Sequence, residues 1–352
     1  MKNGKNAGRV LFLGGPGNIS ESAIRTLLES GHSIGVVKRT ATGLFGLDRE
    51  IEVFYGDCRN GDRLQEILSA FGPDMIVDST CFELSEAKTV AEALKHSPCR
   101  RLVFISTADV YGYPLSHLPM REGDPWNQPN NTYARNKKEI EIFYREELHD
   151  KGIAGLTIVR PGYSMGKTFA LGALGRDGGA HIVSRIRRGL PVYSPGDGTT
   201  LIDAGAAFDT GRMLARLCEE ESACGQAYNC ANPEAVTYDE YLHAFGDALG
   251  LPIKIVHIPT DFLNSLDHDA VRNSTLNDLS RFNLYFSVEK FRIEFPDFVW
   301  KYSLKDAAGD FVEYQDRCGG FEEAGRPCFE DALIELWEQG MDELRERAVE
   351  RL

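Results

Sequence analysis

Six short apolar runs recur through the first half of the chain, at 10–13, 33–37, 51–55, 74–78, 102–105 and 156–159. Each is too short for a helix and suits a strand buried on both faces. The stretches between them carry apolar residues at helical spacing. Ile24, Leu27 and Leu28 mark one helix, 63–68 and 85–95 two more, and a charged stretch opening at Tyr133 a fourth. Glycine and proline punctuate the joins, at Gly14–Gly17, Gly31, Gly56 and the four prolines Pro114, Pro119, Pro125 and Pro129. Strand alternating with helix predicts a doubly wound parallel sheet with right-handed crossovers. The rhythm changes after residue 165. A glycine-rich stretch, 169–180, reads as a flexible loop able to cover a ligand. A basic helical segment follows at 181–188, then a turn-rich hairpin at 191–198, a helix at 238–249, and a terminal amphipathic helix over 330–352 with Leu333, Leu336, Trp337 and Met341. The expected organisation is α/β, with a sheet domain over 1–165 and a smaller α/β substrate-binding region formed mainly by 166–352.

Composition narrows the class. A chain of 352 residues, 42% hydrophobic and 26% charged, holds a substantial core. A net charge of −14 argues against nucleic acid or an anionic membrane as partner. No apolar run approaches transmembrane length, and 10–13 is too short for a signal-peptide core, so a cytoplasmic protein is expected. The eight cysteines form no C-x-x-C pair and the histidines are scattered, so reduced thiols and no metal site are expected.

Three stretches carry chemistry. The run 102–105 ends on Ser106-Thr107-Ala108-Asp109-Val110-Tyr111-Gly112. Further on, Tyr133 and Lys137 stand four apart and share a helical face, towards a hydroxyl delivered by Thr107. An ammonium beside a phenol favours the phenolate, which makes a proton-transfer device for an alcohol or a carbonyl. The glycine turn Gly14-Gly15-Pro16-Gly17-Asn18-Ile19-Ser20, between the first strand and its helix, lets backbone approach a pyrophosphate at a helix N-terminus. The second strand ends Lys38-Arg39-Thr40, two cations where NAD enzymes of this architecture place a carboxylate, which suits the 2′-phosphate of NADP.

Together these stretches resemble the extended short-chain dehydrogenases, the family of NAD-dependent epimerases and dehydratases. The strand-end Ser/Thr, V-Y-G and Y-x-x-x-K occur in the family's order. Gly14 and Gly17 match two positions of G-x-x-G-x-x-G, with Ser20 at the third. Gly56-Asp57-Cys58-Arg59 matches G-D-x-R, and Arg160-Pro161 the R-P segment beside the nicotinamide. The resemblance spans nearly the whole chain and implies a Rossmann-type sheet. It places the catalytic set at Thr107, Tyr133 and Lys137. It also implies cofactor contacts at Gly14, Gly17, Asn18, Ile19, Lys38, Arg39, Asp57, Cys58, Thr80, Cys81, Tyr133, Lys137 and Pro161. Asp109, Arg185 and Asp209 are candidates for substrate contacts. Ser79-Thr80-Cys81-Phe82 departs from the family's small residues and looks like the atypical branch that includes the chloroplast stem-loop-binding proteins. Ala206 stands where the family has a histidine, and the substrate-binding arginine after the P-x-x-x-x-G-D-G hairpin is absent.

The resemblance implies an NAD- or NADP-dependent epimerase or oxidoreductase working on a sugar hydroxyl or ketone, with a nucleotide-activated sugar as the leading substrate. A plain NADP-dependent ketone reductase and a non-catalytic dinucleotide-binding regulator are the alternatives. The resemblance also implies a homodimer through the Tyr-bearing helix and the helix before it.

Overall fold

The computed structural model describes residues 7–41, 43–174, 178–321 and 328–351. The chain forms two compact units. The first comprises Met1–Ser164 with Gly205–Pro233 and Phe286–Tyr302, and the second Met165–Ala204 with Glu234–Tyr285 and Ser303–Leu352.

The first unit is built on strands β1 (Arg9–Leu13), β2 (Ser33–Lys38), β3 (Glu52–Tyr55), β4 (Met75–Asp78), β5 (Arg101–Ile105) and β6 (Gly155–Pro161). The apolar runs predicted each of them. The strand Ala227–Cys230 completes a seven-stranded sheet in the order Ala227–Cys230, β6, β5, β4, β1, β2, β3, and every pairing in it is parallel. This is the Rossmann-type doubly wound arrangement. Both faces are covered, which explains why the strands read as continuous apolar runs rather than alternating ones. Helices α2 (Gly61–Phe71), α3 (Leu84–Lys95) and α4 (Thr132–Tyr144) cover one face, closing a core of Leu11, Leu13, Leu64, Leu94, Phe104, Ile140 and Tyr144. Helix α1 (Ser20–Glu29) packs instead on the helix Ala207–Glu219. The approach there is close enough that a Cβ on Gly211 would collide with the carbonyl oxygen of Ile19, and the Ser22 hydroxyl donates to Phe208 O at 2.7 Å.

Side-chain caps fix where the helices begin. Asn60 Oδ1 accepts from Arg63 N (3.0 Å) at the start of α2, and Asn131 Oδ1 accepts from Ala134 N (2.8 Å) at the start of α4. The second cap sets the rotation of α4, and with it the face carrying Tyr133 and Lys137.

In the second unit the strands Val192–Pro195 and Ile255–Ile258 pair in parallel. The helix Tyr238–Leu249, bounded as the sequence predicts, packs on Leu304–Cys318 through the edge-to-face pair Phe245–Phe311. The terminal helix runs Phe329–Arg351, and the ring of Trp337 on it lies 4.8 Å from that of Phe262, tilted by 51°.

Two expectations change. Of the expected loop at 169–180, residues 175–177 lie outside the described residues. The part before them is packed rather than open: Leu171 O accepts from the Tyr241 hydroxyl (2.9 Å), and the carbonyls of Gly172 and Ala173 both lie 2.9 Å from the Thr275 hydroxyl. The second region also does not run unbroken from 166, because 205–233 and 286–302 return to the sheet unit. The returning strand Ala227–Cys230 is buried throughout and extends the sheet beyond β6.

Candidate active site

In a parallel sheet all strands end at the same edge. The C-terminal ends of β1, β2, β3, β4, β5 and β6 therefore converge, and the order reverses between β1 and β4, where ligands of such sheets bind. The glycine turn leaves β1 there. Gly14 has φ +86°, and a Cβ on it would collide with Thr80 Cγ2, so this position needs glycine for conformation and space alike. Gly14 N donates to Val37 O at 2.9 Å. Ser20, at the family's third glycine position, is buried, and its Oγ accepts from Gly17 N at 2.8 Å. The hydroxyl thus closes the turn from beneath. The Asn18 amide donates to Ser164 O at 2.6 Å, tying the turn to the segment after β6. Ile19 occupies the N-cap position of α1.

Beside this turn lies a cleft of about 270 Å³ lined by Gly14, Gly15, Val37, Lys38, Arg39, Thr40, Gly56, Asp57, Cys58, Arg59, Thr80 and Phe82. It gathers six of the residues expected to hold cofactor: Gly14, Lys38, Arg39, Asp57, Cys58 and Thr80. Arg39 is exposed, and Lys38 Nζ reaches Gly43 O at 3.4 Å. Arg59, part of the G-D-x-R match but not among the expected contacts, adds a third cation and pairs with Glu86 at 2.7 Å. Asp57 Oδ1 accepts from Arg59 N at 3.0 Å, while Asn60 caps α2. Cys58 Sγ lies 3.3 Å from Thr80 Oγ1. Bare backbone on one side and cations on another fit the phosphates and adenosine of a dinucleotide. Cys81 was expected to face this cleft but does not line it. Its thiol is buried, with Sγ 3.6 Å from Glu83 O, because the chain turns inward after β4. Pro161 is buried at the end of β6, in register with Cys230.

The catalytic candidates lie where β5 ends and α4 begins. Thr107 follows β5 and caps the short 3₁₀ turn Ala108–Tyr111, its Oγ1 accepting from Asp109 N at 3.2 Å. That leaves its O–H to donate. Tyr133 lies in the first turn of α4, half-buried, its ring 6.2 Å from that of Phe82. Lys137 is 2% exposed and donates from Nζ to Ile105 O at 2.8 Å. The ammonium sits 4.7 Å from the Phe82 ring, 4.8 Å from Phe104 and 5.9 Å from Tyr133. Burial pushes the Lys137 pKa down to about 8, against the opposing pull of Asp78. Ser106, next to Thr107, is buried, and its Oγ has no hydrogen-bond partner among the described residues.

Each of the three substrate candidates has partners of its own. Asp109 is buried and accepts from the hydroxyls of Tyr113 (2.7 Å) and Tyr163 (2.9 Å), with Asp109 raising the Tyr113 phenol after burial itself. Asp209 sits in the first turn of the helix Ala207–Glu219 and accepts from Lys301 N and Tyr302 N, both at 2.8 Å. Arg185 belongs to the second unit, where its buried guanidinium donates to Pro191 O and pairs with Asp331. The neighbouring Arg187 pairs with Asp316 at 2.7 Å. The basic face of the helix Gly178–Arg187 is thus largely engaged within its own unit.

A buried ion pair anchors α4 on the sheet. Arg160 on β6 grips Glu141 through Nη2 (2.7 Å) and Nε (3.1 Å), and donates to the Tyr111 hydroxyl at 2.9 Å. Among the described residues no cluster of three or more His, Cys, Asp or Glu could hold a metal ion, and no helix is long and apolar enough to cross a membrane.

A model of the NAD-dependent epimerase/dehydratase family matches residues 10–231. The chain is 26% identical over 287 residues to 2'-dehydrokanamycin reductase of Streptomyces kanamyceticus, covering 80% of this chain and 77% of that protein. It is 27% identical over 278 residues to a UDP-glucose 4-epimerase of Lacticaseibacillus casei, covering 69% and 82%. Its fold is similar to the crystal structure of UDP-glucose 4-epimerase from Bifidobacterium longum in complex with NAD+ and UDP. The TM-score is 0.71 at 17% identity, over 89% of this chain and 99% of that one.

Proposed function

Because the chain belongs to the NAD-dependent epimerase/dehydratase family, we propose that it oxidises or reduces a sugar carbon, between hydroxyl and ketone, with Tyr133 as acid/base. The carrying observation is the face of α4 that aligns Tyr133 with a buried, anchored Lys137 ammonium at the sheet edge. The nicotinamide supplies or accepts the hydride when bound. Tyr133 takes the hydroxyl proton during oxidation or returns it during reduction. Thr107 donates to the same oxygen, its own lone pair being held by Asp109 N. The charge on Lys137 favours the phenolate form of Tyr133, and its remaining N–H groups serve the ribose beside the nicotinamide.

The leading substrate is a nucleotide-activated sugar, a reading supported by the UDP-glucose 4-epimerases among the relatives. A sugar ketone without a nucleotide is the second reading. It is favoured by the engagement of Arg185 and Arg187 within their own unit, which leaves fewer cations for a diphosphate, and by the similarity to 2'-dehydrokanamycin reductase. NADP is proposed over NAD, because Arg39 and Lys38 stand at the end of β2 in the cleft.

The test offers UDP-glucose and a 2'-keto aminoglycoside in parallel. A change in 340 nm absorbance reports net redox chemistry, and chromatography of the sugar reports epimerisation. Net reduction of the keto aminoglycoside alone selects the second reading. Turnover of neither, with nicotinamide tightly bound, would favour a non-catalytic dinucleotide-binding role.

A further inference from the structure

Asp78 ends β4 among apolar neighbours and is 1% exposed. Its carboxylate takes its hydrogen bonds from neutral donors: the Tyr144 hydroxyl at 2.8 Å and Thr80 N at 3.2 Å. A buried carboxylate held only by neutral groups is costly unless a cation stands near. The sheet register identifies that cation. Asp78 pairs with Phe104 across β4 and β5, so the two side chains share a face. The Phe104 ring touches both the Lys137 ammonium (4.8 Å) and the Tyr144 ring (5.2 Å). Lys137 and Tyr144 are seven apart on α4, two turns along one face. Three residues of one face of α4, Tyr133, Lys137 and Tyr144, thus run from the proposed reacting hydroxyl down to Asp78.

The other charged or titratable groups facing Lys137 are Cys81 after β4, Glu86 on α3, and Glu141 and Tyr133 on α4. Glu86 is committed to Arg59 and to the amides of Phe82 and Glu83. Glu141 is committed to Arg160. The Cys81 thiol is pushed up by burial and by Asp78, which keeps it neutral. The carboxylate left to balance Lys137 is Asp78.

We propose that Asp78, held by Tyr144, is a positioning residue of the site, the buried counter-charge that keeps the Lys137 ammonium protonated and seated on Ile105 O beneath Tyr133. The proposal rests on the acid/base reading of Tyr133 and Lys137 for its functional meaning, but not for its test. Burial pushes the Asp78 carboxyl up while Tyr144 and Lys137 pull it back, and burial pushes Lys137 down while Asp78 resists. Each group therefore limits the other's shift.

The experiment titrates the full-length protein carrying 13Cε-labelled lysine, with the Lys137 resonance assigned by its loss in Lys137→Met. In Asp78→Asn the Lys137 midpoint should fall by about one pH unit or more, the shift that losing one close charge produces. An unchanged midpoint in a folded Asp78→Asn protein overturns the proposal. Where Asp78→Asn does not fold, Tyr144→Phe replaces it. Without the phenol the carboxylate protonates at higher pH, and the acid-side inflection of the Lys137 resonance should move up; no inflection in either protein overturns the proposal. The titration is independent of turnover. An Asp78 failure thus leaves Tyr133→Phe turnover data standing, and a Tyr133 failure leaves the Asp78–Lys137 coupling measurable.

Discussion

The ion pair between Arg160 and Glu141 fixes the Tyr-bearing helix to the sheet, and its strength can be measured. Glu141 is one turn beyond Lys137 on α4, and both partners are almost wholly buried, at 4% and 2% side-chain exposure for Arg160 and Glu141. The guanidinium fork meets the carboxylate twice, at 2.7 and 3.1 Å, and its Cζ lies 4.5 Å from the centroid of the Trp126 ring and 5.1 Å from that of Tyr111. In Glu141→Ala the guanidinium stays buried with only the Tyr111 hydroxyl and Glu122 O as acceptors. Stranding one member of a buried pair costs about 3–5 kcal/mol. Removing both members in Arg160→Met with Glu141→Leu should recover most of that loss, because the desolvation cost leaves with the charges. Urea unfolding followed by tryptophan fluorescence compares the parent, Glu141→Ala and the double variant, with Trp126 beside the pair contributing to the signal. If Glu141→Ala lies within 1 kcal/mol of the parent, about the loss of an ordinary hydrogen bond, the pair does not anchor α4.

Arg39→Ala should weaken NADP by about 10-fold or more and NAD little, since a charge-assisted phosphate contact contributes about 1.5–3 kcal/mol; fluorescence titration with NADPH and NADH reads this, and equal losses would return Arg39 to the solvent. The buried Lys137 also makes stability depend on pH. Its folded pKa, about 8, is below the 10.5 of the unfolded chain, so the unfolded state binds the extra proton between these values and stability should rise with pH through that window. Relative to Lys137→Met, the parent should gain about 2–3 kcal/mol from pH 7.5 to 10 in thermal or urea unfolding, and a flat difference would contradict the burial cost.

The sheet was legible because strands covered on both faces need continuous apolar runs, and β1 to β6 each carry one. The strand Ala227–Cys230 was not, since four residues containing Tyr228 and Asn229 give no periodic signal apart from the β6 neighbour that buries them. The pairing of Tyr133 with Lys137 could be read because both are local to one helix. The buried contact between Asp78 and Tyr144 was hidden for the opposite reason. An aspartate at a strand end looks like a cap, and only the register with Phe104 shows it buried beside α4. The engagement of Arg185 was equally hidden, as its partner Asp331 lies 146 positions away and a basic helix face seen alone looks open. Ser20 showed in the sequence only as a departure from the third glycine, whereas its hydroxyl forms part of the turn.

The most direct test of the account is the turnover of Tyr133→Phe on whichever sugar the parent accepts, with nicotinamide affinity measured on the same preparation. The variant loses one hydroxyl from a half-buried ring, so fold and cofactor binding should stay near the parent's. The catalytic rate should fall by about 10²-fold or more, the scale of a positioned general acid/base. Turnover at the parental rate, with cofactor bound as before, would contradict the assignment of Tyr133 and with it the proposed chemistry.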